Sequence, residues 1–147
     1  LAPVWLRWGV RNMSTVEESM SNYVLTVGPD ETLERGAQAM IERRCGSAMV
    51  VRGSDFVGIV TERDVLRAVA HGRVPWSTRI EEVMTANPIT VPPDTEIGEA
   101  IRIMIEGGFR HLPIVKDGDL VGLVSLRELL KASALPAWGL KHPAPNH

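Results

Sequence analysis

The apolar residues of this chain fall into short blocks whose period changes from one block to the next. Residues 24–27 form a brief extended stretch that runs into Pro29-Asp30, and proline biases its predecessor away from helix. Apolar side chains then recur at Leu33, Ala37, Met40 and Ile41, a spacing that predicts a helix with one buried face, capped by Asp30. Two apolar runs follow, residues 48–51 and 56–60, split by Arg52-Gly53-Ser54-Asp55, which has the composition of a tight hairpin turn. A second helix is predicted from about residue 61 to residue 70. The order is β-α-β-β-α.

That order is then written again. A shift of 64 places residues 17–68 on residues 81–132 without a gap, with 18 of 52 positions identical. The matches include Met20/Met84, Pro29-Asp30/Pro93-Asp94, Met40-Ile41-Glu42/Met104-Ile105-Glu106, Val57-Gly58/Val121-Gly122 and Arg63/Arg127. The second copy has its extended stretch at residues 89–91 and its helix face at Ile97, Ile101, Met104 and Ile105. Its hairpin turn is Lys116-Asp117-Gly118-Asp119. A unit of about 50 residues buries too little core to stand alone, so the copies are expected to pack on each other. The expected fold class is α+β (mixed α/β), two β-α-β-β-α repeats forming a pseudo-two-fold pair. Residues 1–15 read as an N-terminal extension, 16–70 as repeat 1, 71–79 as linker, 80–132 as repeat 2 and 133–147 as a tail.

Composition narrows the class. The 147 residues carry a net charge of −2 and are 44% hydrophobic, which suits a globular chain. No apolar run approaches the ~18 residues of a membrane span, so no membrane partner is expected. The single cysteine, Cys45, rules out an internal disulfide and suits a reducing, cytoplasmic setting. All 18 acidic residues lie in the repeats, which sum to −7, while Arg7, Arg11, Arg73, Arg79 and Lys141 put +5 in the flanks and linker. Nucleic acid is therefore not expected on the repeats, and the flanks are the one place left for it. Trp5, Trp8, Trp76 and Trp138 all fall outside the repeats, where they are expected to clamp flanking segments onto the body.

The hairpins end in related strings, Gly58-Ile59-Val60-Thr61-Glu62-Arg63-Asp64 and Gly122-Leu123-Val124-Ser125-Leu126-Arg127-Glu128. A glycine at the strand end lets another backbone or a ligand approach. Thr61 stands where strand gives way to helix, so its hydroxyl can cap the helix or reach an anion. Asp64 lies one turn on, and its carboxylate suits paired hydroxyls such as those of a ribose. Equally, Thr61 and Asp64 can simply start the helix, an acid being favoured in the first turn. Arg63 and Arg127 could pair with glutamate or reach a phosphate.

The strings, recurring after the same β-α-β-β pattern, resemble the cystathionine-β-synthase (CBS) domain. Two in tandem resemble the free-standing CBS pair, or Bateman module. The resemblance implies a non-enzymatic regulatory module with an adenine nucleotide as ligand in the clefts between repeats. It implies no required cofactor, a homodimer, and a protein target that the residues do not name. It places Gly58, Ile59, Thr61, Arg63 and Asp64 at one site, with Thr85, Pro88 and Ile89 reaching into that cleft from the other repeat. Ser125, Arg127 and Glu128 would form the second, facing Ser21 and Val24. Glu128 is longer than the family's aspartate by one methylene, whereas Arg110 and His111 supply cations that copy 1 lacks at Gly46-Ser47. These two could serve either cleft.

Other chemistry has little support. Cys45 and His111 are the one nucleophile and base pair to consider, and they have no orienting partner or oxyanion turn in the sequence. The four histidines lack metal-ligand spacing, and there is no phosphate-binding glycine-lysine loop or dinucleotide fingerprint. The alternative function is a protein- or nucleic-acid-binding adaptor with vestigial clefts, suggested by the basic, tryptophan-bearing flanks and by Glu128.

Overall fold

The computed structural model describes residues 14–133. Trp5, Trp8, Trp138 and the basic flanks that the adaptor reading needs lie outside those residues. The elements run α1 (Val16–Ser19), β1 (Thr26–Val27), α2 (Leu33–Arg43), β2 (Ser47–Arg52), β3 (Asp55–Thr61) and α3 (Glu62–Ala70). The second copy continues with α4 (Ile80–Val83), β4 (Thr85–Ala86), α5 (Ile97–Gly107), β5 (His111–Lys116), β6 (Asp119–Ser125) and α6 (Leu126–Ser133).

One sheet has the order β1-β2-β3-β4, with β1 parallel to β2 and the other pairs antiparallel. The second is the β5-β6 hairpin, flanked by a parallel bridge at Val91↔Ile114 and an antiparallel one at Ser21↔Leu123. Both hairpins slip register at the same column, Val50/Val51 and Ile114/Val115. The Lys116–Asp119 turn places Asp117 and Gly118 at positive φ, 50° and 83°, the conformation that an Asp-Gly hairpin turn requires.

The opening segments are exchanged. β4, from repeat 2, is the edge strand of the first sheet, and Ile80 is fully buried in a core with Val27, Leu33, Ala48, Val50, Val60 and Ala68. Reciprocally, Val16 of repeat 1 is buried with Ile97, Ala100, Met104, Leu112, Ile114, Val124 and Leu129. Each copy therefore completes the other's core. A Cβ on Gly36 would stand 3.0 Å from Ile80 Cδ1. The corresponding pair in the other core is Ala100 and Val16, with the methyl group moved from one partner to the other.

Three expectations are corrected. The caps of α2 and α5 are Thr32 and Glu96, not Asp30 and Asp94; Thr32 Oγ1 accepts from the Arg35 N–H at 3.2 Å. Ile41 and Ile105 are 80% and 62% exposed, because each lies one position past the buried Met40 or Met104 and turns away from the core. Trp76 is 69% exposed, so most of its ring faces solvent and not the body.

Candidate functional site

The end of β3 positions the principal candidates. Thr61 is in extended conformation at the N-cap of α3, and the turn folds Asp64 back onto it. Asp64 Oδ2 accepts from the Thr61 N–H at 2.8 Å and from its hydroxyl at 3.1 Å, while Oδ1 accepts from Arg67 at 3.4 Å. Helix-start chemistry is thus satisfied, and a carboxylate with about four lone-pair sites still has capacity for a further donor.

Gly58 brings the other repeat close. A Cβ there would lie 2.8 Å from the Thr85 carbonyl oxygen and 2.7 Å from Met84 Sδ, so β4 can pair at Gly58↔Ala86 only because the side chain is absent. Thr85, Pro88 and Ile89 are carried onto the open side of β3 by that pairing. The end of α5 supplies the third wall. Gly108 closes the helix at φ 71°, and Gly107 leaves room for the ring of Phe109, which any Cβ there would strike. Arg63 Nη1 donates to the Gly108 carbonyl at 3.4 Å, tying the start of α3 to the negative end of α5.

Between these walls is a cleft of about 350 Å³. Ile59, Pro88, Ile89 and Phe109 form its apolar surface, Thr61 and Asp64 its hydroxyl and carboxylate, and Arg63, Arg67, Arg110 and His111 its basic groups. Arg110 and His111, whose cleft the sequence left open, line the cleft of Asp64 and also the cavity that holds Ser125 and Arg127. Burial pushes the His111 pKa below the usual 6.5; Arg110 acts in the same direction and Glu62 opposes it.

Ser125 and Arg127 line a different cavity of about 560 Å³, shared with Arg44, Cys45 and, from the first cleft, Glu62, Arg110 and His111. Glu128 lines neither cavity. Its carboxylate lies 3.8 Å from Lys131 Nζ, with both side chains exposed, while its N–H donates to Ser125 Oγ at 3.2 Å. Gly58 also lines neither and acts through β4. Ser21 pairs with Leu123 just as Thr85 pairs with Ile59, so the strand exchange recurs in both copies. The Cys45 thiol donates to the Ser47 carbonyl at 3.6 Å. No group of three metal-ligating side chains occurs, and no helix is long and apolar enough to cross a membrane, among the described residues.

Sequence reasoning missed Phe109 as a cleft wall and Arg67 as a partner of Asp64. The signal for Phe109 was the Gly107-Gly108 pair, a helix-ending signature that turns the next side chain sharply. Arg67 sits three residues after Asp64, the spacing of helical neighbours.

A family model described as the CBS domain matches residues 14–71 and again 80–135. YhcV, a CBS domain-containing protein of Bacillus subtilis, is 35% identical over 118 residues, covering 80% of this chain and 84% of its own length. A 17.7 kDa protein of Acidianus ambivalens is 38% identical over 80% of this chain and 71% of its own. Among solved structures, a protein with CBS domains from Burkholderia ambifaria superposes with a TM-score of 0.74 at 37% identity, covering 77% of this chain and 84% of that one. The chain spans 61% of a relative from Methanopyrus kandleri, 21–22% of four relatives from Arabidopsis thaliana and 53% of a fifth.

Proposed function

The chain belongs to the CBS domain family, in two tandem copies, and on that premise we propose that it is a regulatory module sensing an adenine nucleotide in the Asp64 cleft. The observation that carries this reading is the meeting of three unlike surfaces in one cleft. An aliphatic and aromatic wall suits a purine, a carboxylate suits the ribose hydroxyls, and a hydroxyl beside basic side chains suits phosphate. The Thr61 hydroxyl now donates to Asp64, and a phosphate oxygen would compete for that proton.

The ligand would touch α3, the β4 segment and the end of α5, so it would bind both repeats at once. Relative to an arrangement that does not bind the ligand, binding stabilises this one by about 2.7 kcal/mol at a ligand concentration of 100 Kd, which is the upper bound on the energy available to bias a partner. The reading includes no catalytic step and no resident cofactor. A thermal-shift series with adenosine, AMP, ADP and ATP tests it. A concentration-dependent rise in Tm with at least one of them is expected, and no rise at millimolar concentration would overturn the reading.

The second copy of this chain is the proposed first partner. Ile41 and Leu66 are 80% and 70% exposed on α2 and α3, which pack together, and their counterparts Ile105 and Leu130 are 62% and 44% exposed on α5 and α6. Two like patches related by the internal repeat suit a symmetric homodimer. Sedimentation of the Leu66→Glu/Leu130→Glu variant should show a monomer where the parent is dimeric; a monomeric parent would end the proposal.

A further inference from the structure

The folded bodies of this chain end at different places from its repeats. Residues 71–79, the linker of the sequence, are fastened to the first repeat. The Leu33 N–H donates to the Thr78 carbonyl at 2.8 Å, the Glu34 N–H to that of Pro75 at 3.1 Å, and the Arg73 N–H to that of Ala68 at 2.9 Å. The chain beyond the linker stays on the same side. The Ile80 and Glu81 N–H groups donate to the Glu31 and Pro29 carbonyls, Ile80 fills the first core, and β4 extends the first sheet. Asn87 still donates its N–H to the Val57 carbonyl, and its left-handed φ of 47° turns the chain out of β4. The next anchored residue, Val91, is buried in the second core and bridges to Ile114. The start of the chain crosses the other way. The Val16 and Ser21 N–H groups donate to the Thr95 and Leu123 carbonyls of the second repeat, whereas the Leu25 carbonyl accepts from the Met49 N–H of the first. Among the described residues the two cores have no buried side chain in common, and Tyr23 and Ile89, one on each crossing, are exposed.

We propose that the chain moves as two bodies that are not its two repeats. Residues 25–87 form one body, and residues 14–21 together with 91–133 form the other. The two short crossings, residues 22–24 and 88–90, are the joint between them, and the linker travels with the first body. A few loop residues are enough to absorb the backbone rotation of such a joint. The Asp64 cleft spans it: Thr61, Asp64 and Thr85 belong to the first body, residues 107–111 to the second, and Pro88 and Ile89 to a crossing. Opening or closing the cleft therefore changes the angle between the bodies, and whatever fills it bears on the joint directly. The division itself holds in the empty protein and does not rest on the nucleotide reading.

Native-state hydrogen exchange on the full chain without ligand tests the division, because amides that open together share one free energy and one dependence on denaturant. The Met20 and Ser21 amides should exchange with those of α5, β5 and β6. The Arg73, Ile80 and Met84 amides should exchange with those of α2, β2 and β3. Val16→Ala should speed exchange across residues 91–133 by about tenfold or more, and at least about fivefold more than across residues 25–87. Ile80→Ala should do the reverse. Should either variant fail to fold, the grouping in the parent still decides. Grouping of Met20 and Ser21 with the rest of the first repeat, grouping of Ile80 and Met84 with the rest of the second, or one opening shared by all of them would overturn the proposal. Each of those results leaves the nucleotide reading standing, and a failed thermal shift with nucleotides leaves the two bodies standing.

Discussion

Asp64→Asn separates a ligand-binding carboxylate from a helix cap, because the two roles draw on different properties of one side chain. The Asp64 side chain is 10% exposed and accepts from the Thr61 N–H, the Thr61 hydroxyl and Arg67. Asparagine keeps a carbonyl oxygen for the Thr61 N–H and loses the charge. The Arg67 pair is worth little, since the Arg67 side chain is 59% exposed and surface ion pairs contribute about 0–1 kcal/mol. Loss of the acidic first-turn charge adds about 0.3–1 kcal/mol. The variant should therefore lose about 1 kcal/mol of stability, or about 4 °C in Tm for a domain of this size. Sugar recognition should suffer more. Hydrogen bonds to a charged acceptor are worth about 1.5–3 kcal/mol against about 0.5–1.5 for neutral ones, so adenosine affinity should fall about tenfold or further. Adenosine is the right probe because it carries no phosphate. Chemical denaturation gives the stability and calorimetry the Kd. An Asp64→Asn protein with lowered stability and unchanged adenosine affinity would refute the sugar-binding role and leave Asp64 as a cap.

Gly58→Ala should cost about 1–3 kcal/mol and weaken nucleotide binding, because its Cβ would displace the Thr85 carbonyl and with it the cleft wall. Gly122→Ala meets Met20 Sδ and the Ser21 carbonyl instead, so denaturation should show a comparable loss while calorimetry shows unchanged affinity at the Asp64 cleft. Gly36→Ala gains up to about 1 kcal/mol in helix propensity but presses on Ile80 Cδ1, so a double-mutant cycle should find it more favourable in an Ile80→Val background than in the parent. His111 is held below its unfolded pKa of 6.5 chiefly by burial, so the unfolded chain takes up the proton first. Its contribution is fully present above pH 6.5 and lost as pH falls through the folded value. Denaturation midpoints measured downward from pH 6.5 should drop in the parent and drop less in His111→Gln; parallel profiles would contradict this.

Much of the architecture was legible because it is written twice. The matched columns located both hairpins, both long helices and the turns, since burial imposes the same apolar pattern on each copy. The one-residue error at Ile41 and Ile105 arose because an apolar side chain beside a core methionine looks like core when an unpaired helix face is also apolar. The exchange of α1 and α4 between cores was invisible to periodicity, which reports that a segment is half-buried and not what buries it. β4 was missed for a related reason: two residues at a sheet edge carry no period, and the partner glycine, Gly58, held the clearer signal. The Asp64 motif was readable, yet only the fold shows Arg110 and His111 coming across from the other copy to line its cleft, while also lining the cavity of Ser125 and Arg127. Glu128 shows the converse, a motif position whose side chain the fold leaves on the surface.

Amide chemical-shift mapping with AMP is the most direct test of the nucleotide cleft. Saturable shifts are expected at residues 59–67, 85–89 and 107–111, three stretches distant in sequence that meet only there. No shifts at millimolar AMP, or shifts confined to the terminal flanks, would contradict it.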